Sequence, residues 1–182
     1  MIYFDKYKQA YGFEIENPIA TVSDELWGEL ANDRDGWTIE NGEFIDLRNT
    51  DPYKQQQLAT AKEKKYNEAK NKAYAYLESG EALYEFEPNK HIEATDGNIA
   101  KFTAYALQFA SGVTTPVVWC TKEDETVFLN QEQVTDILQG LGAVQAQVWT
   151  IKFTYYIEKI DRARTVKTVN NIVIDYSQDV EG

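Results

Sequence analysis

Short runs of alternating apolar and polar residues recur along the chain, and most of them come in pairs on either side of a turn. Such pairs are typical of β-hairpins. The clearest turn is Asn41-Gly42, a dipeptide that favours a two-residue hairpin loop. The predicted strand pairs are residues 2–4 with 11–15, 37–39 with 43–47, 83–87 with 91–94, and 117–121 with 126–129.

Helical periodicity separates these hairpins. Ser23 is a good N-cap for a short helix that ends near residues 33–36, and Asp51, followed by proline, opens a helix that extends to about Glu78. Asp96 is the predicted cap of a helix that stops at Gly112. Asn130 opens the longest helix, with a glutamine three residues later that completes a capping box.

The longest helix carries apolar residues at alternating spacings of three and four, which is the pattern of an a/d seam. A second apolar row beside this seam predicts that the helix is central to a core, to an oligomer or to both. Gly140 and Gly142 predict either a kink or a tight backbone contact early in the helix. Beyond it, a helical turn and a strand over residues 172–176 are expected. The seam residues are Val134, Ile137, Leu141, Val144, Val148, Ile151 and Tyr155.

These elements predict an α+β fold. A small N-terminal hairpin-helix-hairpin module precedes long helices packed with short antiparallel hairpins. The predicted divisions are an acidic module over residues 1–49, a connecting helix over residues 50–79, and an α+β domain with a long C-terminal helix over residues 80–182. A module of about 50 residues is near the size at which a core on its own becomes marginal.

Composition narrows the function classes. The net charge of −12 repels the phosphate backbone that dominates nucleic-acid affinity, so we expect no nucleic-acid partner. One Cys and one His in 182 residues supply neither an internal disulfide nor a Cys/His zinc shell. The start of the chain lacks the pattern of a secretory signal, and no run is apolar enough to span a bilayer. We therefore expect no membrane association.

The charge is uneven along the chain. Residues 1–49 hold 11 acidic and 4 basic side chains, a net charge of −7. If an acidic surface meets a basic partner, we expect it in this module.

Few residues are candidates for catalysis. Cys120 and Val118 lie on one face of a predicted strand, and we expect this face to be buried. His91 falls in a different hairpin and has no evident partner. A cysteine nucleophile activated by a histidine is therefore not expected. Two groups of carboxylates could bind a divalent cation or contain a carboxyl group with a raised pKa: Glu85 with Glu87, and the acidic turn at residues 122–125. The favoured interpretation is that these carboxylates form a solvated acidic face. No catalytic, cofactor-binding or metal-ligating residue is therefore predicted.

Two other features have a functional and a structural interpretation. Residues 33–36, Asp-Arg-Asp-Gly, resemble the start of a calcium loop, but the position that requires a bidentate Glu holds Gly42. The four tryptophans, one in each main element, favour core packing, and a stacking platform for a sugar or peptide is the alternative. They are Trp27, Trp37, Trp119 and Trp149.

The order of elements from residue 62 to residue 176 resembles an uncharacterised domain of bacteriophage tail fibre and tail-assembly proteins. The matching features include Leu-Tyr-Glu-Phe at 83–86, Val-Trp-Cys-Thr at 118–121 and Val-Phe-Leu-Asn-Gln at 127–131. The opening is similar to tail fibre assembly proteins in its Ser-Asp-Glu-Leu-Trp helix at 23–27 and its Asn-Gly-Glu-Phe hairpin at 41–44.

This resemblance implies a virion or virion-assembly role and carries no active-site residues. The expected function is a non-enzymatic structural component associated with a tail fibre or baseplate. Two alternatives stay open: a tail fibre assembly chaperone that is absent from the mature particle, and a receptor- or carbohydrate-binding module. The expected partners are tail fibre or baseplate proteins, and further copies of the chain are a candidate partner. The expected locations are the virion tail and, during assembly, the host cytoplasm.

Overall fold

The computed structural model describes residues 1–4, 9–12 and 16–178. Helices alternate with short antiparallel strands, which confirms the α+β class. The chain forms two compact units, Met1–Thr60 and Ala61–Gly182, each with its own hydrophobic core. The boundary between these units lies inside the long helix that sequence analysis identifies as a connector.

The first unit contains a three-stranded sheet, a short helix and a hairpin. In the sheet, β1 (Ile2–Phe4) pairs antiparallel with both β2 (Ala10–Tyr11) and β3 (Ala20–Val22), in the order β2-β1-β3. The strand β3 is absent from the predicted set, and the predicted strand residues 13–15 lie outside the described residues. The elements are β1 (Ile2–Phe4), β2 (Ala10–Tyr11), β3 (Ala20–Val22), α1 (Asp24–Leu30), a 3-10 turn (Arg34–Gly36), β4 (Trp37–Glu40) and β5 (Glu43–Asp46).

Local sequence explains two of these elements. The Ser23 hydroxyl accepts a hydrogen bond from the amide of Leu26 at 3.2 Å and caps α1, as predicted. Asn41 and Gly42 both have positive φ, 52° and 83°, as the two central positions of a type I′ turn require, and β4 and β5 pair around them.

The core of the first unit is aromatic. Phe4 is fully buried, and its ring lies edge-on to Trp27, Trp37 and Phe44 at centroid distances of 5.0 to 5.7 Å. The indole nitrogen of Trp37 donates to the carbonyl of Leu30 at 2.9 Å, which ties β4 to the end of α1. Two of the four tryptophans therefore pack against this core, as predicted.

The helix α2 (Asp51–Glu78) begins in the first unit and continues into the second. Its predicted cap, Asp51, is already inside the first turn. The hydroxyl of Thr50 lies 3.4 Å from the amide of Tyr53, and its carbonyl accepts from the amide of Lys54, so Thr50 holds the cap position. A similar correction applies to the third helix, where Thr95 and not Asp96 caps the first turn by accepting from the amide of Asn98 at 3.1 Å.

The second unit packs two hairpins and several helices around one core. The predicted hairpins are both present, with a bulge between Glu85 and Glu87. The elements are β6 (Leu83–Glu87), β7 (Lys90–Glu93), α3 (Asp96–Ala110), β8 (Val117–Cys120), β9 (Thr126–Leu129), α4 (Gln131–Ala146), a π-helical segment (Gln147–Phe153), α5 (Thr154–Arg162) and α6 (Val166–Asn170).

The predicted long helix is present as α4, the π-helical segment and α5 in unbroken succession. Its capping box is formed as expected: the side chain of Asn130 accepts from the amide of Gln133 at 3.0 Å, and the side chain of Gln133 accepts from the amide of Asn130 at 3.1 Å. At Gly140 the structure shows a tight contact, because a Cβ there would lie 2.2 Å from ring atoms of Tyr84.

The predicted strand at residues 172–176 is wrong. This segment has no regular secondary structure over residues 172–175, turns at Tyr176, and joins no ladder among the described residues. Side chains of α2, the π-helical segment and α5 donate instead to the carbonyls of Ile174, Tyr176 and Asp175, so these three groups are satisfied without a neighbouring strand.

Candidate functional site

The apolar seam of the long helix lies mostly inside the core of the second unit. Val134, Ile137, Leu141 and Val148 are each at most 2% exposed. Val144 and Tyr155 are half-buried, and Ile151 is 46% exposed. The first part of the seam therefore packs within its own chain, and its proposed role in pairing with another copy stays a prediction.

The π-helical segment explains why the seam changes face. A π turn contains an extra residue, because its hydrogen bonds run from i to i+5. After Val148 the buried positions recur every four residues, at Lys152, Tyr156 and Ile160, instead of at the predicted Ile151 and Tyr155. Heptad spacing applies only to an uninterrupted α-helix, so it could not locate this shift.

An open groove lies between α3 and β8. Its volume is about 620 Å³, and α3 contributes Lys101 and Tyr105 while β8 contributes Trp119 and Cys120. The ammonium of Lys101 is 5.5 Å from the centroid of the Trp119 ring, a cation–π distance, and the same ring packs on Phe102 at 4.7 Å. Trp119 is therefore half-buried and engaged within its own unit, as the core interpretation predicts.

Cys120 is exposed, so the predicted burial of this thiol is wrong. The prediction placed Cys120 and Val118 on one strand face, which is correct, but that face points to solvent and Trp119 points to the core. Period-2 alternation identifies two faces of a strand without indicating which face is buried.

His91 and Glu123 form a close polar pair near the groove. The ring nitrogen Nδ1 of His91 lies 2.7 Å from Oε1 of Glu123, and the amide of His91 donates to Oε2 at 3.0 Å. These hydrogen bonds lower the pKa of Glu123 to about 2, and the bond from the backbone amide of His91 has the largest effect. Among the described residues no hydrogen bond joins His91 to Cys120, so the structure does not assemble a cysteine–histidine pair.

The other acidic candidates are engaged with neighbouring groups. Glu85 accepts from the amide of Asn89 at 2.8 Å, and Glu87 pairs with Lys90 at 2.9 Å. Lys122 and Glu93, which both line the groove, form an ion pair at 2.6 Å. Within residues 1–4, 9–12 and 16–178, no group of three or more His, Cys, Asp or Glu side chains is placed to hold a metal ion.

The loop at residues 33–36 also has a structural role. Asp33 accepts a hydrogen bond from the hydroxyl of Tyr53, which raises the pKa of that tyrosine to about 12. The chain there forms a 3-10 turn whose Gly36 lies against Asp33 and Arg48. The hydrogen bond between Asp33 and Tyr53 therefore links this loop, which directly precedes β4, to the first turn of α2.

The β8–β9 hairpin exposes two apolar side chains on one face. Val118 and Phe128 are direct cross-strand partners, and they are 58% and 69% exposed. Aromatic residues are enriched at protein–protein interfaces, and exposed apolar patches mark interaction sites. Sequence reasoning did not identify this pair, because it assigned the opposite face of β8 to solvent.

Comparison with known proteins gives no relative: no protein-family model, curated protein or solved structure matches the chain. Across the part of the chain that the structure describes, no helix combines the length and the apolar character needed to cross a membrane.

Proposed function

We propose that this chain is a bacteriophage tail protein, a structural component that binds a tail fibre or baseplate protein. The likeness of element order to tail fibre and tail-assembly proteins supports this role. The structural observation that carries the proposal is the exposed Val118–Phe128 pair on the β8–β9 hairpin, a small apolar surface on a chain of net charge −12. Such a surface fits a protein partner better than a small polar substrate.

An assembly chaperone that leaves before the particle is complete is the alternative. The same apolar pair would serve a chaperone, because both roles require contact with a fibre protein. The two roles differ in the mature particle. Mass spectrometry of purified particles tests this difference: stoichiometric presence supports the structural component, and expression in the host with absence from particles supports the chaperone.

The role of the hairpin surface is tested separately by co-purification with the neighbouring fibre gene product. Phe128→Ser is expected to reduce the retained fibre protein at least about tenfold, since loss of a central aromatic contact costs about 1.4 kcal/mol or more. Leu107→Ser is the matched control, because Leu107 is 67% exposed on α3. If neither the particle nor the fibre associates with the wild-type protein, both roles fail.

The receptor- or carbohydrate-binding alternative has weaker support. A sugar platform needs a free aromatic face, whereas Trp119 already contacts Phe102 and Lys101. Glycan arrays that contain host polysaccharides test this alternative, and the absence of binding would remove it.

A further inference from the structure

The outer edge of β8 carries backbone groups that point away from its only partner strand. Val118 pairs with Phe128 in the two-stranded sheet, and the amide of Thr121 donates to the carbonyl of Glu125 at 2.9 Å where the hairpin closes. Residue pairs in an antiparallel ladder alternate between hydrogen-bonded and non-hydrogen-bonded pairs. Counted from Thr121, the pairs at Cys120 and Val118 are not hydrogen-bonded, so the amides and carbonyls of these two residues point away from β9.

One end of this edge already binds a neighbouring backbone. The amide of Lys122, the next position along the same edge, donates to the carbonyl of His91 in β7 at 3.0 Å. Because β7 and β8 belong to separate sheets, no ladder continues this contact. Among the described residues, the amides and carbonyls of Val118 and Cys120 have no hydrogen-bond partner on this side. The edge therefore keeps donors and acceptors in the spacing that a further strand requires.

This edge borders the groove between α3 and β8. Every residue from Val118 to Lys122 lines the groove, whose volume is about 620 Å³, and no described residue of β9 does. Side chains from both faces of β8 therefore contribute, which places the groove along the edge of the strand. Ligand sites of roughly 300–1,000 Å³ are typical, and an exposed sheet edge binds an extended peptide as an added strand.

The charges of the groove favour a carboxylate near the middle of the edge. Lys122 is paired with Glu93 at 2.6 Å, whereas Lys101 is exposed and forms no ion pair among the described residues. The ammonium of Lys101 lies 5.5 Å from the ring of Trp119, the residue between the two unpaired edge positions. The other carboxylate of the lining, Asp124, lies in the turn beyond the end of β8. A carboxylate that enters beside Trp119 would meet a cation without an acidic partner.

We propose that this groove binds an extended acidic segment of a partner protein, which adds to β8 as a further strand and places a carboxylate next to Lys101. The backbone of the segment pairs with Val118 and Cys120. In this mode of binding, main-chain hydrogen bonds supply affinity and alternate side chains supply specificity. The inference does not depend on the proposed tail role, because any protein with such a segment could occupy the groove.

The test starts from a phage-displayed library of random octapeptides selected on the immobilised full chain. We expect acidic peptides that slow the hydrogen exchange of the amides at positions 118 and 120, because these amides gain acceptors on binding. Methylation of alternate peptide nitrogens then tests strand addition. Only one of the two alternate sets faces β8, so one methylated set is expected to bind at least about tenfold more weakly and the other set to bind like the parent peptide.

Val118→Pro tests the same hydrogen bonds from the side of the protein. Proline lacks an amide hydrogen and is tolerated on an edge strand where that hydrogen points outward, so the ladder with β9 stays intact. We expect the selected peptides to bind at least about tenfold more weakly to this variant. Thr126→Pro is the matched control, because Thr126 is the cross-strand partner of Cys120 at the start of β9 and does not line the groove.

Lys101→Glu tests the charge. The acidic peptides are expected to bind at least about threefold more weakly to this variant, and peptides with Lys in place of the acidic residue are expected to bind it better than they bind the wild type. Lys70→Glu is the control, because Lys70 is exposed in α2 and does not line the groove.

Three results would overturn the proposal. The first is a selection that enriches no peptide over an unrelated immobilised protein. The second is an equal effect of methylation in the two alternate sets, which would also decide the matter if Val118→Pro failed to fold. The third is unchanged affinity of the acidic peptides for Lys101→Glu. None of these results bears on the presence of the protein in particles, so the tail role stands or fails separately.

Discussion

Gly140 and Gly142 lie two residues apart in α4 and meet opposite surroundings. A Cβ at Gly140 would overlap the ring of Tyr84 at 2.2 Å, whereas a Cβ at Gly142 would meet nothing within 4 Å. The Tyr84 hydroxyl also donates to Asp136 at 2.9 Å, so the ring is fixed at both ends of its contact with α4. At the residue scale, Gly140 therefore permits the close approach of β6 to the helix.

We expect Gly142→Ala to raise the free energy of unfolding by up to about 1 kcal/mol, because alanine has the higher helix propensity. Gly140→Ala gains the same propensity but must displace Tyr84, and we expect a net loss of about 1–3 kcal/mol. Urea unfolding followed by circular dichroism measures both values. Equal stability of the two variants would contradict the close contact.

Glu123 makes a pH-dependent contribution to stability. Folding lowers its pKa from 4.5 to about 2, mainly because the amide of His91 donates to the carboxylate. A lowered pKa in the folded state stabilises the protein above the unfolded pKa, and this contribution disappears as the pH falls from about 4.5 to about 2.

We therefore expect Glu123→Gln to unfold at lower urea concentration than the wild type at pH 6, and the difference to close by about pH 2. Asp124→Asn is the control, because Asp124 makes no side-chain hydrogen bond or ion pair in the described structure. Urea midpoints across this pH range measure the effect, and a difference that stays constant with pH would refute it.

At the element scale, the π-helical segment sets which residues of the long helix face the core. It places Val148 at 2% exposure and Ile151 at 46%, although both belong to the same predicted seam. The segment also turns Lys152 inward, where it holds the carbonyl of Tyr176. One change of helical pitch therefore replaces an apolar seam position by a buried cation that binds the carbonyl of Tyr176.

This phase shift predicts different results for the same substitution at two seam positions. Val148→Asp places an unpaired charge in the core, and we expect a loss of about 3 kcal/mol or more, or failure to fold. Ile151→Asp is expected to change stability by about 0.5 kcal/mol or less in the single chain. Thermal unfolding measures both, and a comparable loss at Ile151 would show that the seam keeps one face throughout.

At the scale of the whole molecule, each unit has its own buried cluster. The first is centred on Phe4, and the second includes Phe102 and Leu141. Tryptophans report on the units separately, since Trp27 and Trp37 pack on the first cluster and Trp119 and Trp149 on the second.

Phe4→Ala is expected to destabilise the first unit by about 3–5 kcal/mol, because it removes the ring at the centre of an aromatic cluster. In a background with Trp119 and Trp149 replaced by Phe, fluorescence then reports an earlier transition for the first unit. In the complementary background, without Trp27 and Trp37, the transition of the second unit should stay near that of its parent. Equal shifts in both backgrounds would contradict separate cores.

The sequence by itself determined the α+β class, the hairpins at residues 37–47 and 83–94, and the capping box at Asn130 that begins the long helix. These features depend on interactions between residues a few positions apart, and local patterns record them directly. Where a cap was assigned one residue too late, at Asp51 and Asp96, two adjacent polar residues competed for the same position.

Only the tertiary structure decided which face of β8 is exposed, where the long helix changes pitch, and that residues 172–176 bind to side chains instead of joining a sheet. Each depends on groups far apart in the sequence, as with Lys72 and Ile174 or Gly140 and Tyr84. Alternation and heptad spacing describe one element at a time, whereas burial and hydrogen-bond partners are fixed by the elements that pack against it.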